Sequence, residues 1–255
     1  MEELLTQIVD NTSKKSSYQI IVSDNKTRIK TKFNPPLELD KKKSYEIALV
    51  NLETYYSFPN ITSTNNHLKY SPDNGNSWFD ITISEGAYEI VDINDAIQQA
   101  MRQNNHYDKA NDDYYITITA NLNTLRTMLG LASGYQVDFG CNNSLRSVLG
   151  FTGDKYTSDT ESEQLVNILS INSIFVNIDI ISGSYVNGYT QPTIFSFFPN
   201  ATPGYKIIES PTNLVYLPVI LDTIHNLETV LRDQHGNQLN LRGENVTIRF
   251  HMREI

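Results

Sequence analysis

The chain has 255 residues, a single cysteine and a formal charge of −9, with 39% hydrophobic and 19% charged residues. That length fits one all-β domain or two small ones, and it buries enough surface to fold without disulfides. A net acidic chain argues against nucleic-acid binding as the main activity, because phosphate contacts need a concentrated basic surface.

In chain order, residues 1–16 read as a mobile arm with weak periodicity. Met1–Thr6 has no basic stretch followed by a sustained apolar run, so no signal peptide is expected. No stretch approaches the roughly 18 consecutive apolar residues of a membrane span. Residues 1–43 carry nine Lys/Arg against six Asp/Glu, a net of +3, and residues 44–255 carry eleven against twenty-three, a net of −12. Lys30, Lys32 and Lys41–Lys43 are also the residues that keep strand edges from pairing.

From Arg28 onward strand patterns dominate. Arg28, Lys30 and Lys32 alternate with Ile29, Thr31 and Phe33, and Asn34-Pro35-Pro36 is expected to end that run. Tyr45, Ile47 and Leu49 share one face of the next strand. His67–Ile83 reads as a hairpin around Pro72-Asp73-Asn74-Gly75. Gly86 breaks its second strand, and Asp92 or Asn94 is placed to cap a helix over Asp92–Arg102, with Ile93, Ala96, Ile97 and Ala100 on its apolar side. Tyr114–Thr119 is a short strand, Asn143–Leu149 a single helical turn, and Asp154–Glu163 an exposed loop. Ile174, Val176, Ile178 and Ile180 belong to a central strand, and Thr193–Phe198 comes after it. Thr223–Leu227 reads as another helical turn. Gln238–Leu241 and Asn245–Met252 read as strands joined at Arg242-Gly243-Glu244. Many short strands with Gly, Pro and Asn turns describe an all-β sandwich.

Chemistry is sparse. His67, His106, His225, His235 and His251 are scattered with no metal-ligand spacing. Cys141 beside Gly140 reads as a small buried thiol, and alone it forms no intramolecular disulfide, which suits a reducing compartment or a fold indifferent to redox state. There is no Gly-x-Ser-x-Gly elbow and no phosphate loop. We expect no enzyme, no catalytic residue, no metal and no cofactor. Six Asn-x-Ser/Thr sequons begin at Asn11, Asn25, Asn60, Asn142, Asn200 and Asn245, and they record an Asn/Ser/Thr-rich composition.

Fifteen tyrosines stand out, since Tyr suits surfaces where one end of the ring is dry and the other wet. Tyr55-Tyr56, Tyr114-Tyr115 and the run containing Phe195, Phe197 and Phe198 are the interface candidates. The bland alternative is that the two sheets absorb them.

The segment Trp78-Phe79-Asp80-Ile81-Thr82-Ile83-Ser84-Glu85-Gly86-Ala87-Tyr88 is followed by Ile93–Ile97, and then by Val137-Asp138-Phe139-Gly140-Cys141-Asn142-Asn143-Ser144-Leu145-Arg146-Ser147-Val148-Leu149-Gly150-Phe151. In that order these stretches resemble the penton base of adenoviruses. With Ile180–Gly188 and Asn240–His251, the chain is still more similar to the penton (minor capsid) proteins of Polinton, or Maverick, elements and adintovirus-like viruses, from roughly Tyr45 to Ile255. The resemblance implies a single jelly-roll with a few short helices and a small insertion, spanning residues 17–255. It implies a homopentamer at the fivefold vertices of an icosahedral virion of a double-stranded DNA virus or virus-like transposon, ringed by double jelly-roll major capsid proteins. A fibre or receptor would be a further partner, and any nucleic-acid contact would run through the N-terminal arm. Unlike the adenovirus protein, the chain is short and lacks an Arg-Gly-Asp loop.

Within the motifs, Asp138 and Ser144 are expected to bond local backbone, Arg146 to pair with an acid or cap a carbonyl, and Gly150 to end a turn with positive φ. Glu85 and Gly86 form the turn after the strand. The alternative function is a jelly-roll carbohydrate-binding or attachment module, using exposed aromatics and Asn/Asp in a groove.

Overall fold

The C-terminal alternation of Val246, Ile248, Phe250 and Met252 becomes the middle of a sheet. In a computed structural model that describes residues 15–169 and 171–255, all four of these side chains are buried. They lie on β18 (Val246–Glu254), which pairs antiparallel with β1 (Ser17–Asp24) on one side and β3 (Tyr45–Tyr55) on the other. Beyond β3 lie β15 (Lys206–Glu209) and β16 (Leu217–Pro218). A second antiparallel sheet has the order β14 (Thr193–Phe197), β11 (Ile174–Ile178), β17 (Thr223–Arg232) and β2 (Arg28–Glu38). Val176, Ile178, Ile224 and Leu227 are buried from this sheet, and Ile47, Leu52 and Val22 from the first. The architecture is an all-β jelly-roll. A separate hairpin joins β12 (Tyr185–Val186) to β13 (Tyr189–Thr190) through Asn187 and Gly188. Both turn residues have positive φ, 52° and 82°, the turn geometry that matches strand twist.

The described residues divide into two compact units, one that runs to Tyr56 and resumes at Ile171 and one of residues 57–169. The second unit holds β4 (His67–Ser71), β5 (Phe79–Thr82), β8 (Gln136–Asp138) and β9 (Lys155–Tyr156) in the order β5-β4-β8-β9. It also holds a smaller sheet of β6 (Ile116–Asn121), β7 (Arg126–Leu131) and β10 (Thr160–Glu161), with α1 (Ile90–Gln103) and a single turn, α2 (Arg146–Leu149). Ile93, Ile97 and Met101 of α1 are fully buried in a core with Tyr70, Ile81, Ile116, Phe139 and Leu149. Burying each such side chain contributes about 1.5–3 kcal/mol.

The structure differs from the sequence expectations in several places. The run from Arg28 is not stopped by Asn34-Pro35-Pro36. β2 continues to Glu38 because it is the outer strand of its sheet, where missing N–H groups cost little. Thr223–Leu227 is strand, not helical turn. At the register shift between Ile224 and Asn226, β2 runs five residues, from Leu37 to Lys32, while β17 runs two, and the strict alternation of β17 is lost there, so the buried Ile224 and Leu227 stand three apart and mimic helical spacing. Helix α1 begins at Ile90 with Glu89 as its N-cap, and Asp92 accepts the Glu89 N–H at 2.8 Å rather than capping the helix itself. Asn94 instead accepts the Ile118 N–H at 2.8 Å, tying α1 to β6. Asp154–Glu163 is not a plain loop, since it contains β9 and β10 and buries Tyr156 and Ser162. Of Gln238–Leu241 only a single bridge, Arg232 to Gln238, is formed. The arm expected over residues 1–16 lies outside the described residues up to Lys14. Ser16 is bound in place, donating its N–H to Glu254 Oε2 at 3.0 Å.

Candidate assembly surface

Directly opposed residues in antiparallel strands share a face, and every second residue along each strand stays on it. The register of β3 with β15 sets Lys206 against Tyr55 and Ile208 against Glu53. The register with β18 sets Thr247 against Glu53 and Arg249 against Asn51. The outward face of this sheet therefore carries Asn51, Glu53, Tyr55, Lys206, Ile208 and Arg249 together. Glu53 receives Lys206 at 2.7 Å and Arg249 at 2.6 Å. Those two hydrogen bonds, Lys206 first, hold its carboxyl below the usual range. Arg249 also donates to Asn51 at 2.5 Å, and Arg253 pairs with Glu46 at 2.6 Å. Beside this neutralised ladder stand two bare apolar groups: Tyr55 is 41% exposed and Ile208 60%. Just before β15, Tyr205 is 70% exposed and lies opposite Tyr56, one residue out of step with this face; Tyr56 N–H donates to the Tyr205 carbonyl and Gly204 N–H to the Tyr56 carbonyl, both at 2.8 Å. A fixed patch of large apolar side chains inside a charge-compensated rim is what a protein partner can desolvate cheaply.

The aromatic candidates are divided by this geometry. Tyr55 and Phe198 are exposed, whereas Tyr56 and Phe197 are buried, 5% and 8% exposed, and present no surface to a partner. Phe195 is half-buried with its ring 6.0 Å from Phe197. Tyr114 and Tyr115 lie in the other unit and are half-buried. Tyr114 accepts a hydrogen bond from Arg102 at 2.9 Å, and Tyr115 stacks at 4.7 Å on Tyr135, whose hydroxyl is pushed up to about 12 by burial. Sequence reasoning missed Tyr185 and Tyr189, 68% and 76% exposed on their hairpin, although Asn187-Gly188 between two tyrosines was a readable turn signal. It also missed Tyr205 and Ile208, whose exposure depends on which strand β15 joins.

The motif residues sit in the second unit. Gly86 exchanges backbone bonds with Ile61, and a Cβ there would lie 2.6 Å from the Tyr88 ring. Glu85 accepts the Ser63 N–H at 2.7 Å. Asp138 accepts the Gly140 N–H at 2.7 Å, Ser144 accepts the Arg146 N–H at 3.1 Å, and Arg146 pairs with Asp154. Gly150 follows α2 with φ 79°. Cys141 is only half-buried, and its desolvated thiol is raised above the usual range, so it is a poor nucleophile. Among the described residues no three His, Cys, Asp or Glu side chains converge as metal ligands, and no helix is long and apolar enough to cross a membrane.

Two sheets of this order with an inserted unit after β3 define a single jelly-roll β-sandwich. A solved structure with that fold is the penton protein of mavirus: it matches with a TM-score of 0.52 and 9% identity over 95% of this chain and 100% of that one. Domains of the flagellar cap protein FliD from Escherichia coli align over 91% of this chain and 55% of that one at 12% identity, with a TM-score of 0.17 that carries no argument. No family model matches the chain, and no curated protein matches it in sequence.

Proposed function

We propose that this chain is a structural capsid protein that forms the fivefold vertex of an icosahedral particle as a homopentamer. The observation that carries the reading is the end-to-end correspondence with the mavirus penton protein, which leaves almost no part of either chain unmatched. The short motifs around Gly86 and Gly150, in their order, support a place among the pentons of Polinton-like elements and adintovirus-like double-stranded DNA viruses. A ring of five uses head-to-tail contacts, so one protomer offers one patch to a different patch on the next. The Tyr55 and Ile208 face is one such patch. The partners are then four further copies and the surrounding double jelly-roll major capsid protein, in the virion, with a fibre or receptor on the outer side. The N-terminal arm, with the basic stretch that follows it, would reach neighbouring capsid proteins or packaged DNA. On this reading the protein is no enzyme and needs no cofactor.

Co-expression with a double jelly-roll capsid protein, followed by electron microscopy and light scattering, tests the reading. Rings of five copies at particle vertices are expected. A chain that stays monomeric at high concentration and is absent from assembled particles overturns it.

A further inference from the structure

A groove of about 670 Å3 opens between the Tyr185 hairpin, β14 and the 211–217 segment, within the range of small-ligand sites. Its floor is apolar: Leu49 and Ile194 are buried, and Phe175 and Phe195 are half-buried. At its rim stands the Tyr185 ring, 68% exposed, with Ser184, Asn187, Ser196 and Asn213 around it. None of these four side chains has a hydrogen-bond partner among the described residues. Thr193, by contrast, spends its hydroxyl on Asn177 at 3.0 Å. The lining contains no Asp, Glu, Lys or Arg, although 19% of the chain is charged.

These features select a ligand. An uncharged lining offers nothing to a phosphate, sulfate or carboxylate, whose desolvation would go uncompensated. Two free amides and two free hydroxyls supply both donors and acceptors at short range. An exposed Tyr face presents a flat apolar platform with a polar tip. A neutral sugar matches all three, with C–H groups on one face of its ring and hydroxyls around the edge. An extended peptide fits less well, because β14 is five residues long, is flanked by Pro192 and Pro199, and pairs with β11 through a register shift. Prolines and bulges are devices that prevent strand addition at an edge.

We propose that this groove binds a neutral oligosaccharide, with a sugar ring stacked on Tyr185 and its hydroxyls held by Ser184, Asn187, Ser196 and Asn213. The inference does not depend on the capsid reading. A vertex protein with such a groove would gain a glycan-attachment function, and a monomer would bind as well as a ring.

The test is calorimetric titration of the full chain with maltotriose, mannotriose and chitotriose, each beside sialylated and sulfated oligosaccharides. Saturable binding of at least one neutral sugar is expected, weakened about tenfold or more by Tyr185→Ala and by Asn213→Ala and largely retained in Tyr185→Phe. Circular dichroism and melting of the variants should match the parent, since both side chains are exposed. Three results would overturn the proposal: no neutral sugar binding, binding indifferent to Tyr185→Ala, or preference for the anionic glycans. Uptake of an alternating Val/Thr peptide with no sugar binding would assign the groove to strand addition instead.

Discussion

The backbone of Gly150 passes so close to Gln164 that a Cβ on residue 150 would lie 2.4 Å from the Gln164 carbonyl oxygen. The same two residues are joined by the Gln164 N–H donating to the Gly150 carbonyl at 2.8 Å. Residue 150 also has φ 79°, so a side chain there meets backbone strain and a backbone clash together. Gly150→Ala should lower stability by about 2–4 kcal/mol, read by chemical denaturation. Gly188→Ala is the control: it shares the positive φ but meets nothing within 4 Å, and should cost only about 1 kcal/mol. Equal losses in the two variants would remove the close approach as the cause.

Asn60, the start of a sequon in the sequence, is buried and braces three backbone groups. Its Nδ2 donates to the Tyr88 and Ile168 carbonyls at 2.7 and 2.9 Å, and its Oδ1 accepts the Tyr88 N–H at 2.8 Å. Asn60→Ala leaves all three without this partner and should cost about 2–4 kcal/mol in a denaturant melt. Asn60→Asp keeps the acceptor but loses both donations, and should be at least as damaging. A near-neutral Asn60→Ala would mean that water replaces the amide.

Glu254 Oε2 accepts the Ser16 N–H and the Lys43 ammonium, each at 3.0 Å. The Ser16 bond first, and Lys43 second, hold the Glu254 carboxyl below the usual range. A carboxyl depressed on folding contributes stability that is complete above its unfolded value and is lost as pH falls through the folded one. The melting temperature of Glu254→Gln should therefore trail the parent at neutral pH, and the gap should close as pH falls below the ordinary carboxylate range and through the depressed folded value. A gap that persists unchanged in acid would show that the effect is not the carboxylate charge.

On the outer face of the first sheet, Tyr55→Ala with Ile208→Lys, which sets a cation rather than a second acid opposite Glu53, should leave the monomer's melt within about 0.5 kcal/mol of the parent, because both side chains are exposed. On the proposed pentamer reading, ring formation in light scattering should be lost. Lys206→Ala is a milder probe. It removes one of two cations from Glu53, and should weaken assembly less than removal of the apolar pair. Rings that persist in the double variant would place the contact on another face.

Much of the sandwich was legible because local patterns coincide with it. Val246–Met252 alternates strictly and becomes β18, and His67–Ile83 folds as the hairpin that its Pro72–Gly75 turn announces. The helix near Ile93 follows from its apolar spacing, but its start does not, since Glu89 and Asp92 exchange roles only once the chain direction is set. The exposed Tyr55 and the buried Tyr56 read identically in sequence. Period two assigns neighbours to opposite faces without saying which face is wet.

The sequence by itself determined the strand-rich class, the turns at Pro72–Gly75 and Arg242–Glu244, the apolar stripe of α1 and the lack of spaced metal ligands, because these depend on residues near one another in the chain. Only the tertiary structure decided that β2 continues through its prolines, that Ile224 and Leu227 flank a register shift, and that residues 57–169 form a unit of their own. It also decided that Tyr185, Asn187, Ser196 and Asn213 meet around one groove. Each of these depends on which distant strand supplies the hydrogen bonds and covers a face. That choice is made by the burial of the whole core, and no local window of sequence contains it.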